Sequence, residues 1–525
     1  MFEVRDLDLA GRIGRIKTNH GIVETPAFLP VIHPSNQSIP PQEIRAMGFT
    51  TVMTNSYITF RRHGGDAIEK GIHSIIEFDG PIMTDSGGYQ ILEYGKVNTD
   101  PLEIARYQEA IGSDFSNVLD TPTGLGVSRR ESEESVKKTL ESCRITMEGL
   151  GHDRKSLWIG PVQGGKYLDL VTTSARYLSS MPFDMFALGS PTEVMESYDF
   201  TLLAQMIVTA KKALPLDKPL HLFGLGHPLP LAMAVALGCD TFDSASYVLY
   251  ARAGRYITET GTRRIQDLEY LPCVCRVCSK ISAKQLNEME VDQRQNKIAI
   301  HNLYMLKREI EATKQALREG RLWEYLGVRA KAHPNLWAAF EELAKNSDSF
   351  EVFTPSFKFR GLMLSSYPDH LRPEIRRAND RLGTYLSSRP SRPLLILPEG
   401  RAGPFVYGKV YERASSVLPI PFMIGYISVP VGFVPGEISD VYPFSQIVNS
   451  PGLQGDPRIM DQFIKVLTVQ LRSLAPSMTF LVRDEQLDDR VYDLVNTLLE
   501  PKFTISKDEY ALESTLEQIM KTLGD

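Results

Sequence analysis

The stretch GPIMTDSGG at residues 80–88 has a form that returns along the first half of the chain, an apolar run ending in a carboxylate and glycines. LWIGPVQGG at 157–165 and CDTFDSAS at 239–246 share this form, with a glutamine or an aspartate near the end. Each run is followed by a segment long enough for a helix. Eight such runs occur, beginning at Thr25, Thr50, Gly80, Phe115, Leu157, Phe183, Pro219 and Cys239.

The spacing of these runs predicts the fold class. Successive runs are separated by roughly 25 to 40 residues, the length of a strand, a helix and two loops. Eight such units predict an α/β protein built on a (β/α)8 TIM barrel, whose active site lies where the carboxyl ends of the strands meet. A doubly wound open sheet is the alternative, because periodicity does not show closure.

The rest of the chain predicts smaller domains. After Lys280 the apolar residues recur at three- and four-residue intervals, which indicates helices. We expect a barrel domain over residues 1–345 that includes a metal-binding subdomain at about 265–310. A bridging segment and a small α/β domain follow over 346–450, and a second small mixed α/β domain over 451–525.

Composition excludes some classes of protein. Of 525 residues, 42% are hydrophobic and 23% are charged, which is typical of a soluble globular protein. The N-terminus has no apolar signal segment and the longest apolar runs are broken by proline and glycine, so a cytoplasmic protein is expected.

Charge is unevenly distributed. The net charge is -6, yet residues 252–331 hold 16 basic and 10 acidic residues. Such a stretch is usually a solvated helical surface, but beside an active-site candidate it favours a phosphate-bearing partner. Arg252, Arg255, Arg263 and Arg264 are therefore candidate contacts to the phosphates of such a partner.

A metal site is predicted from Cys273-Val-Cys275-Arg-Val-Cys278 and from His301, which follows 23 residues later. Three thiolates and an imidazole form a closed tetrahedral set for Zn²⁺ with no open position, so this metal is expected to be structural. The alternative is that the thiols are chance neighbours and His301 a helix surface residue. Three of only five cysteines within six residues favour the metal.

Two aspartates at the ends of predicted strands are catalytic candidates, Asp85 in MTDSGGYQ and Asp243 in FDSASY. Two convergent carboxylates can act as nucleophile and general acid/base at a glycosidic carbon, where the transition state resembles a cation. Taken alone, each aspartate is equally well explained as a helix cap or a turn residue.

Together these motifs resemble the queuine/archaeosine tRNA-guanine transglycosylase family. The resemblance rests on MTDSGGYQ, VQGG at Val162, FALGS, FDSASY, CVCRVC and His301, in order and over residues 1 to about 310. FVPGEISDVYPFSQ, residues 433–446, is similar to the first C-terminal domain of the archaeal members. Any one motif is weak, whereas six in register are specific.

The resemblance implies a double displacement without organic cofactor. Asp243 is then the nucleophile at the ribose C1′, and Asp85 the general acid/base. Asp120 is expected to accept from the N1–H and amino groups of guanine, and the backbone of Gly189 and Ser190 to face its O6. The full expected base-binding set is Asp120, Gln163, Gly189, Ser190, Ser86, Tyr89 and Phe223, with Tyr89 and Phe223 stacking on the flipped base.

The archaeal features imply a substrate and partners. The tyrosine in DSGGYQ, the 23-residue gap before His301 and about 200 residues beyond the barrel resemble the archaeal type. That type exchanges guanine 15 in the D-loop for preQ0 (7-cyano-7-deazaguanine), and a homodimer is expected. The RNA-binding PUA domain of full-length relatives is not recognisable here, so a separate PUA-containing protein is expected to supply it in trans.

The same residues argue against four other functions. An archaeosine-synthase-like paralogue is disfavoured because LLILPEGRAGPF carries Glu399 where a cysteine is expected, and because Asp85 and Asp243 are present. A silent tRNA-binding scaffold needs no nucleophile. A metal-dependent hydrolase needs an open metal position, and the bacterial-type, anticodon-modifying enzyme lacks the archaeal features.

Overall fold

A computed structural model of the chain describes residues 2–88, 100–397, 412–450, 452, 455–483, 488–506 and 512–524. It divides into two compact units, Met1–Leu343 and Ala344–Asp525. Within the described ranges, none of the helices combines the length and the apolar character needed to cross a bilayer.

The chain begins with a three-stranded antiparallel sheet of β1 (Phe2–Asp8), β2 (Gly11–Thr18) and β3 (Gly21–Thr25). Because β3 leads almost directly into the next strand, which begins at Ala27, the sheet lies at the amino-terminal end of the barrel described next. Ile16 and Val23 from this sheet are buried in one cluster with barrel residues. The sheet therefore plugs that end, and the opposite end is left for a site.

The centre of the first unit is an eight-stranded parallel sheet. Its strands are β4 (Ala27–Pro30), β5 (Val52–Asn55), β6 (Ile82–Asp85), β7 (Phe115–Asn117), β8 (Leu157–Val162), β9 (Met185–Leu188), β10 (Leu220–Leu222) and β11 (Thr241–Ser244). They are ordered β4-β11-β10-β9-β8-β7-β6-β5. The ring closes where Val31 bridges Met53 in parallel and the Ile32 amide donates to the Met53 carbonyl at 2.7 Å. Closure confirms the predicted barrel and excludes the open sheet.

Helices between these strands, and one after the last of them, surround the barrel. They are α1 (Pro41–Ala46), α2 (Ser56–Lys70), α3 (Ile72–Ile76), α4 (Pro101–Ala110), α5 (Arg129–Leu150), α6 (Leu168–Ser179), α7 (Thr192–Glu196), α8 (Phe200–Ala213), α9 (Pro228–Ala236) and α10 (Ser246–Arg252). Local sequence sets their starts: Asp100 caps α4, and a capping box of Ser128 and Glu131 begins α5.

A hairpin and further helices follow the last barrel strand. They are β12 (Arg255–Thr258), β13 (Gly261–Arg264), a short 3₁₀ turn (Ile265–Asp267), α11 (Ala283–Glu288), α12 (Val291–Arg318), α13 (Leu322–Ala330) and α14 (Pro334–Lys345). The long helix α12 packs on α9, α10 and β12. A buried ion pair between Arg329 and Glu309, 2.9 Å apart, joins α13 to α12. This part of the unit therefore holds the hairpin against the barrel wall.

The second unit contains two sheets and the helices around them. Its elements are α15 (Asp348–Glu351), β14 (Leu362–Leu364), a 3₁₀ turn (Tyr367–Leu371), α16 (Pro373–Ser387), β15 (Leu394–Leu397), β16 (Met423–Ser428), β17 (Gly432–Pro435), 3₁₀ turns (Gly436–Ile438 and Phe444–Gln446), β18 (Ile447–Asn449), α17 (Pro457–Leu474), β19 (Thr479–Arg483), α18 (Asp489–Leu499), β20 (Phe503–Ser506) and α19 (Leu512–Gly524).

The main sheet of this unit has the order β17-β16-β15-β19-β20, and only β16 and β17 pair antiparallel. Alternate residues of β15 enter different cores, as a two-residue period requires. Leu394 and Ile396 pack with α16, α17 and α18, whereas Leu395 and Leu397 pack with α19. The unit is thus a three-layer α/β structure, and residues on both sides of position 450 contribute strands to its sheet.

Candidate active site and metal centre

Three aspartates lie at the carboxyl ends of barrel strands. Asp85 is the last residue of β6, Asp120 follows β7, and Asp243 lies in β11. Burial, together with the negative charges of Asp120 and Asp243, raises the pKa of Asp85 to about 7. The three carboxylates are therefore close enough to interact, although they are far apart in sequence.

Asp85 is held by groups from the neighbouring strand. The Asn55 side-chain amide donates to Asp85 Oδ2 at 2.6 Å, and the Gly87 amide donates to the same oxygen at 3.3 Å. Ser56 Oγ donates to the Asp85 carbonyl at 2.7 Å. With a pKa of about 7, this carboxyl is able to give and take a proton near neutral pH.

Asp243 is fixed from a different direction. His221 Nε2 lies 3.0 Å from Asp243 Oδ1, and the Gly224 amide donates to the same oxygen at 2.9 Å. His221 is fully buried, and its Nδ1 lies 2.8 Å from Thr241 Oγ1. Both hydrogen bonds therefore hold the carboxylate through Oδ1 rather than through Oδ2.

Asp120 is the third member of the group. Gln163 Nε2 donates to Asp120 Oδ2 at 2.6 Å. Gln163 is itself completely buried, and its Oε1 accepts from Ser190 Oγ at 2.7 Å and from the Thr123 amide at 3.2 Å. Burial raises the pKa of Asp120 to about 6, against the hydrogen bond from Gln163 that lowers it.

Backbone packs closely against these polar side chains. A Cβ at Gly88 would lie 2.0 Å from Asp120 Oδ1, and a Cβ at Gly189 would lie 2.2 Å from Gln163 Nε2. Ser190, next to Gly189, has a φ of +64°. Only glycine leaves room for these two approaches, which explains the glycines at the ends of the strand motifs.

The other residues expected to line the base site are distributed as follows. Phe223 is partly buried, packs on the barrel core and lies edge-to-face with His221, with ring centroids 4.8 Å apart. Ser86 is buried and donates its hydroxyl to the Val118 carbonyl at 3.0 Å, which links the ends of β6 and β7. Tyr89 lies outside the described residues.

The four candidate phosphate-binding arginines occupy α10 and the following hairpin. Burial lowers the pKa of His33, which follows β4, and the charges of Arg62 and Arg252 lower it further. Arg255 stacks on Tyr250 at 4.5 Å. Arg263 and Arg264 are exposed on β13.

The cysteine motif and His301 form one cluster. The ligand atoms of Cys273, Cys275, Cys278 and His301 all lie within 4.8 Å of one another. His301 Nδ1 is 3.7 Å from Cys275 Sγ and 3.4 Å from Cys278 Sγ. Tetrahedral bonds of ~2.3 Å to sulfur and ~2.0 Å to nitrogen require separations close to these. The residues present therefore fit a metal ion, and the donor set is compatible with zinc.

The surroundings of His301 support the same conclusion. His301 Nε2 donates to the Ile257 carbonyl at 2.8 Å, so Nδ1 carries no proton in the neutral ring and faces the thiols. Tyr256 stacks on the imidazole with centroids 3.6 Å apart, and its hydroxyl is 3.2 Å from Cys278 Sγ. Helix α12 and the hairpin thus orient the histidine before any metal binds.

Sequence reasoning missed His221 and Asn55. A signal for Asn55 was available, because TTVMTN ends in a polar residue as GPIMTD does, and Asn55 and Asp85 are register partners in the sheet. His221 gave a weaker signal, since one polar residue inside an apolar strand has many explanations. Its register partner Thr241 lies two residues before Asp243.

The fold and the position of the carboxylates define a class of protein: an enzyme on a (β/α)8 barrel, with a separate metal-binding cluster outside the barrel. Comparison with known proteins gives the family. Residues 8–335 match the family model described as queuine tRNA-ribosyltransferase.

Curated relatives agree with this match. The chain is 50% identical over 355 residues to the tRNA-guanine(15) transglycosylase of Aeropyrum pernix, covering 67% of this chain and 68% of that protein. It is 42% identical over 463 residues to that of Saccharolobus solfataricus (85% and 90%) and 38% identical over 489 residues to that of Methanosarcina barkeri (92% and 94%). The chain belongs to the queuine tRNA-ribosyltransferase family, which makes it a tRNA-guanine transglycosylase and confirms the resemblance drawn from its motifs.

Proposed function

We propose that this enzyme exchanges guanine 15 in the D-loop of tRNA for preQ0, by double displacement through a covalent aspartyl-ribose intermediate. The names of its relatives support the position of the exchanged base. The observation that carries the chemistry is the pair of carboxylates with different surroundings. Asp243 accepts two hydrogen bonds on one oxygen, and Asp85 has a pKa near neutrality.

In the first displacement, Asp243 Oδ2 attacks C1′ of the target nucleotide. The C1′–O bond forms as the C1′–N9 bond breaks, and Asp85 gives its proton to the departing guanine. His221 and the Gly224 amide hold Oδ1. The Asp243 side chain is therefore kept in one rotamer, and its reacting oxygen is already positioned for attack. The product is an ester between the carboxylate and the ribose.

In the second displacement, N9 of the incoming deazaguanine attacks the same C1′. The ester bond breaks, Asp243 is released as a carboxylate, and Asp85 takes the proton of the incoming base. Each proton that Asp85 gives in the first step is thus recovered in the second. Atoms and charges balance without an oxidant or reductant.

Asp120 and Gln163 recognise the base in this proposal. Ionised Asp120 accepts from N1–H and from the exocyclic amino group, a pair of donors that guanine presents on one edge. Gln163 positions Asp120 and reaches the base edge with its remaining N–H, while the amides of Gly189 and Ser190 face O6. Phe223 and Tyr89 stack on the two faces of the flipped base.

The metal cluster has a structural role here. Cys273, Cys275, Cys278 and His301 hold one Zn²⁺, which supplies a cross-link between α12 and the preceding loop and takes no part in base exchange. Arg252, Arg255, Arg263 and Arg264 contact tRNA phosphates, and Arg62 is added to them because its charge, like that of Arg252, lowers the pKa of His33.

The test is incorporation of radiolabelled guanine, and separately of preQ0, into unmodified archaeal tRNA transcripts. We expect incorporation into a transcript with G15 and none when that base is replaced by adenine. The assay is run with and without a separate PUA-containing protein. Incorporation at an anticodon guanine instead would favour the bacterial-type reaction, and absence of incorporation in every arm would favour a tRNA-binding scaffold.

A further inference from the structure

Two phenylalanines in the second unit are exposed on a segment that is otherwise anchored. In Ser356-Phe-Lys-Phe-Arg360, Phe357 is 50% and Phe359 is 93% exposed, whereas Lys358 between them is 4% exposed. The Lys358 ammonium forms an ion pair with Glu374, which also accepts from Arg372 Nε at 2.9 Å. The side chain between the two rings is therefore drawn into the unit, while both rings face solvent.

The segment is fixed at its two ends as well. We call residues 355–361 the phenylalanine loop. Arg377 Nη1 donates to the Pro355 carbonyl at 3.0 Å at its start. At its end, a Cβ on Gly361 would lie 2.7 Å from the Gln446 carbonyl, so backbone packs on backbone there. The loop is therefore anchored at its start, middle and end, while its aromatic rings stay exposed.

A cavity adjoins the loop. Phe357 lies edge-to-face with Phe359 and with Tyr442, with centroids 5.3 Å apart in each case. Tyr442 lines a cavity of about 200 Å³. This is smaller than the ~300–1,000 Å³ of an ordinary ligand site, and it suits a single planar ring system. Other lining residues that can stack or carry charge are Arg377, Arg381, Tyr385 and Phe444.

Exposed cations flank these rings. Arg360 follows Phe359 directly, and Arg381 lies one helical turn before Tyr385 on the same face of α16. Neither guanidinium forms an ion pair with a residue in the described part of the chain. Aromatic rings beside unneutralised arginines are the combination that binds unstacked bases and the phosphates next to them. A protein partner would need only the apolar rings, and it would leave the two arginines unexplained.

We propose that the phenylalanine loop, with Arg360 and the cavity lined by Tyr442 and Arg381, is a second RNA contact that stacks an unpaired base of tRNA. The identity of the RNA rests on the proposed function, while the surface itself does not. This contact lies in the second unit and takes no part in base exchange.

The experiment measures equilibrium binding of an unmodified tRNA transcript to the full chain by fluorescence anisotropy. Stacking of one base contributes about 1–3 kcal/mol, so we expect Phe359→Ala to weaken binding by about 5- to 100-fold. Phe359→Trp keeps a stacking face and should bind as wild type, whereas Phe359→Leu should be as weak as alanine. Arg360→Gln should lower the slope of log affinity against log salt by about one.

Controls separate the possible outcomes. Val469 on α17 is 67% exposed, so Val469→Ala loses an exposed apolar side chain elsewhere in the unit and should not change affinity. Phe359→Ala binding within twofold of wild type overturns the proposal. So does full binding by Phe359→Leu together with a smaller sedimentation coefficient for Phe359→Ala, which would identify an interface between copies. Wild type that binds tRNA but exchanges no base contradicts the proposed function and leaves this contact standing.

Discussion

Buried aspartates at the two ends of the barrel have pKa values that are shifted in opposite directions. At the amino-terminal end, Asp114 receives two backbone amides and the imidazoles of His20 and His73, each 3.0 Å from a carboxylate oxygen. Burial raises its pKa, but the hydrogen bonds from His73, the Ile82 amide and His20 outweigh it and lower the pKa to about 2. At the other end, Asp85 and Asp120 have raised pKa values of about 7 and 6.

This difference separates a carboxylate that stabilises the fold from the carboxylates to which we have assigned the chemistry. The hydrogen bonds that Asp114 accepts from the protein compensate its negative charge, so this carboxylate needs no ligand. Asp85, Asp120 and Asp243 are brought together despite mutual repulsion, and a like-charge cluster in a barrel mouth is stabilised only when a substrate or a proton arrives. The same fold thus places stability at one end and reactivity at the other.

The largest effect is expected at the reactive end. Asp243→Asn removes the proposed nucleophile while keeping its shape, so guanine exchange should fall by on the order of 10⁴-fold or more, with the melting temperature unchanged or higher. Single-turnover exchange and thermal unfolding measure the two quantities. Asp153→Asn, at an exposed aspartate of the same barrel, is the matched control and should change neither. Retention of exchange by Asp243→Asn would contradict the assignment.

The opposite result is expected at the amino-terminal end. Asp114→Asn should lower the free energy of unfolding by about 2–3 kcal/mol, because hydrogen bonds to a buried charge are lost. The folded pKa of about 2 lies below the unfolded value of ~3.9. This contribution is therefore complete above about pH 5 and is lost as the pH falls through 4 toward 2. Urea unfolding at pH 7 and pH 3 measures this contribution. If the free energy of unfolding differed between variant and wild type by the same amount at both pH values, the low pKa of Asp114 would be contradicted.

A smaller loss is expected when the nucleophile is left in place but no longer held. His221→Leu should lower kcat by about 10- to 100-fold, because Asp243 then samples unproductive orientations. His221→Gln, which restores an N–H donor, should recover part of the loss, while KM for tRNA stays near the wild-type value. A rise in KM with unchanged kcat would indicate a purely structural or binding role.

The smallest effect concerns the pH profile. Because Asp85 must be protonated to act as an acid, and its pKa is about 7, kcat/KM should fall tenfold per pH unit above pH 7. Asn55 donates to this carboxylate, so Asn55→Ser removes a bond that favours the charged form. The descending limb should then move upward by about half a unit to one unit. A limb that does not move would show that another group controls it.

The sequence sufficed for the barrel and the composition of the candidate site, and the reason lies in local signals. Strand ends such as MTDSGG and VQGG carry polar residues and glycines, which favours a shared site over ordinary turns, and Cys273 to Cys278 are close in sequence. The barrel, the family and the Cys3His cluster were confirmed, whereas the individual catalytic and base-binding roles stay predictions.

Contacts made across the fold could not be predicted. His221 contacts Asp243, and Asn55 contacts Asp85, because neighbouring strands pair in a particular register. The sequence of one strand does not determine that register. The phenylalanine loop was also missed, because the exposure of Phe359 depends on Lys358 reaching Glu374 in α16. Pairs of this kind require the register of the sheet or the packing of a helix, which sequence periodicity does not supply.

The most direct test of the account is to identify the residue that bonds to the ribose. A single-turnover reaction with tRNA is quenched in acid, digested with protease and nuclease, and analysed by mass spectrometry. The account predicts a ribose ester on the peptide containing Asp243, absent from the Asp243→Asn variant. An ester on Asp85, or rapid base exchange with no ester on either peptide, would contradict it.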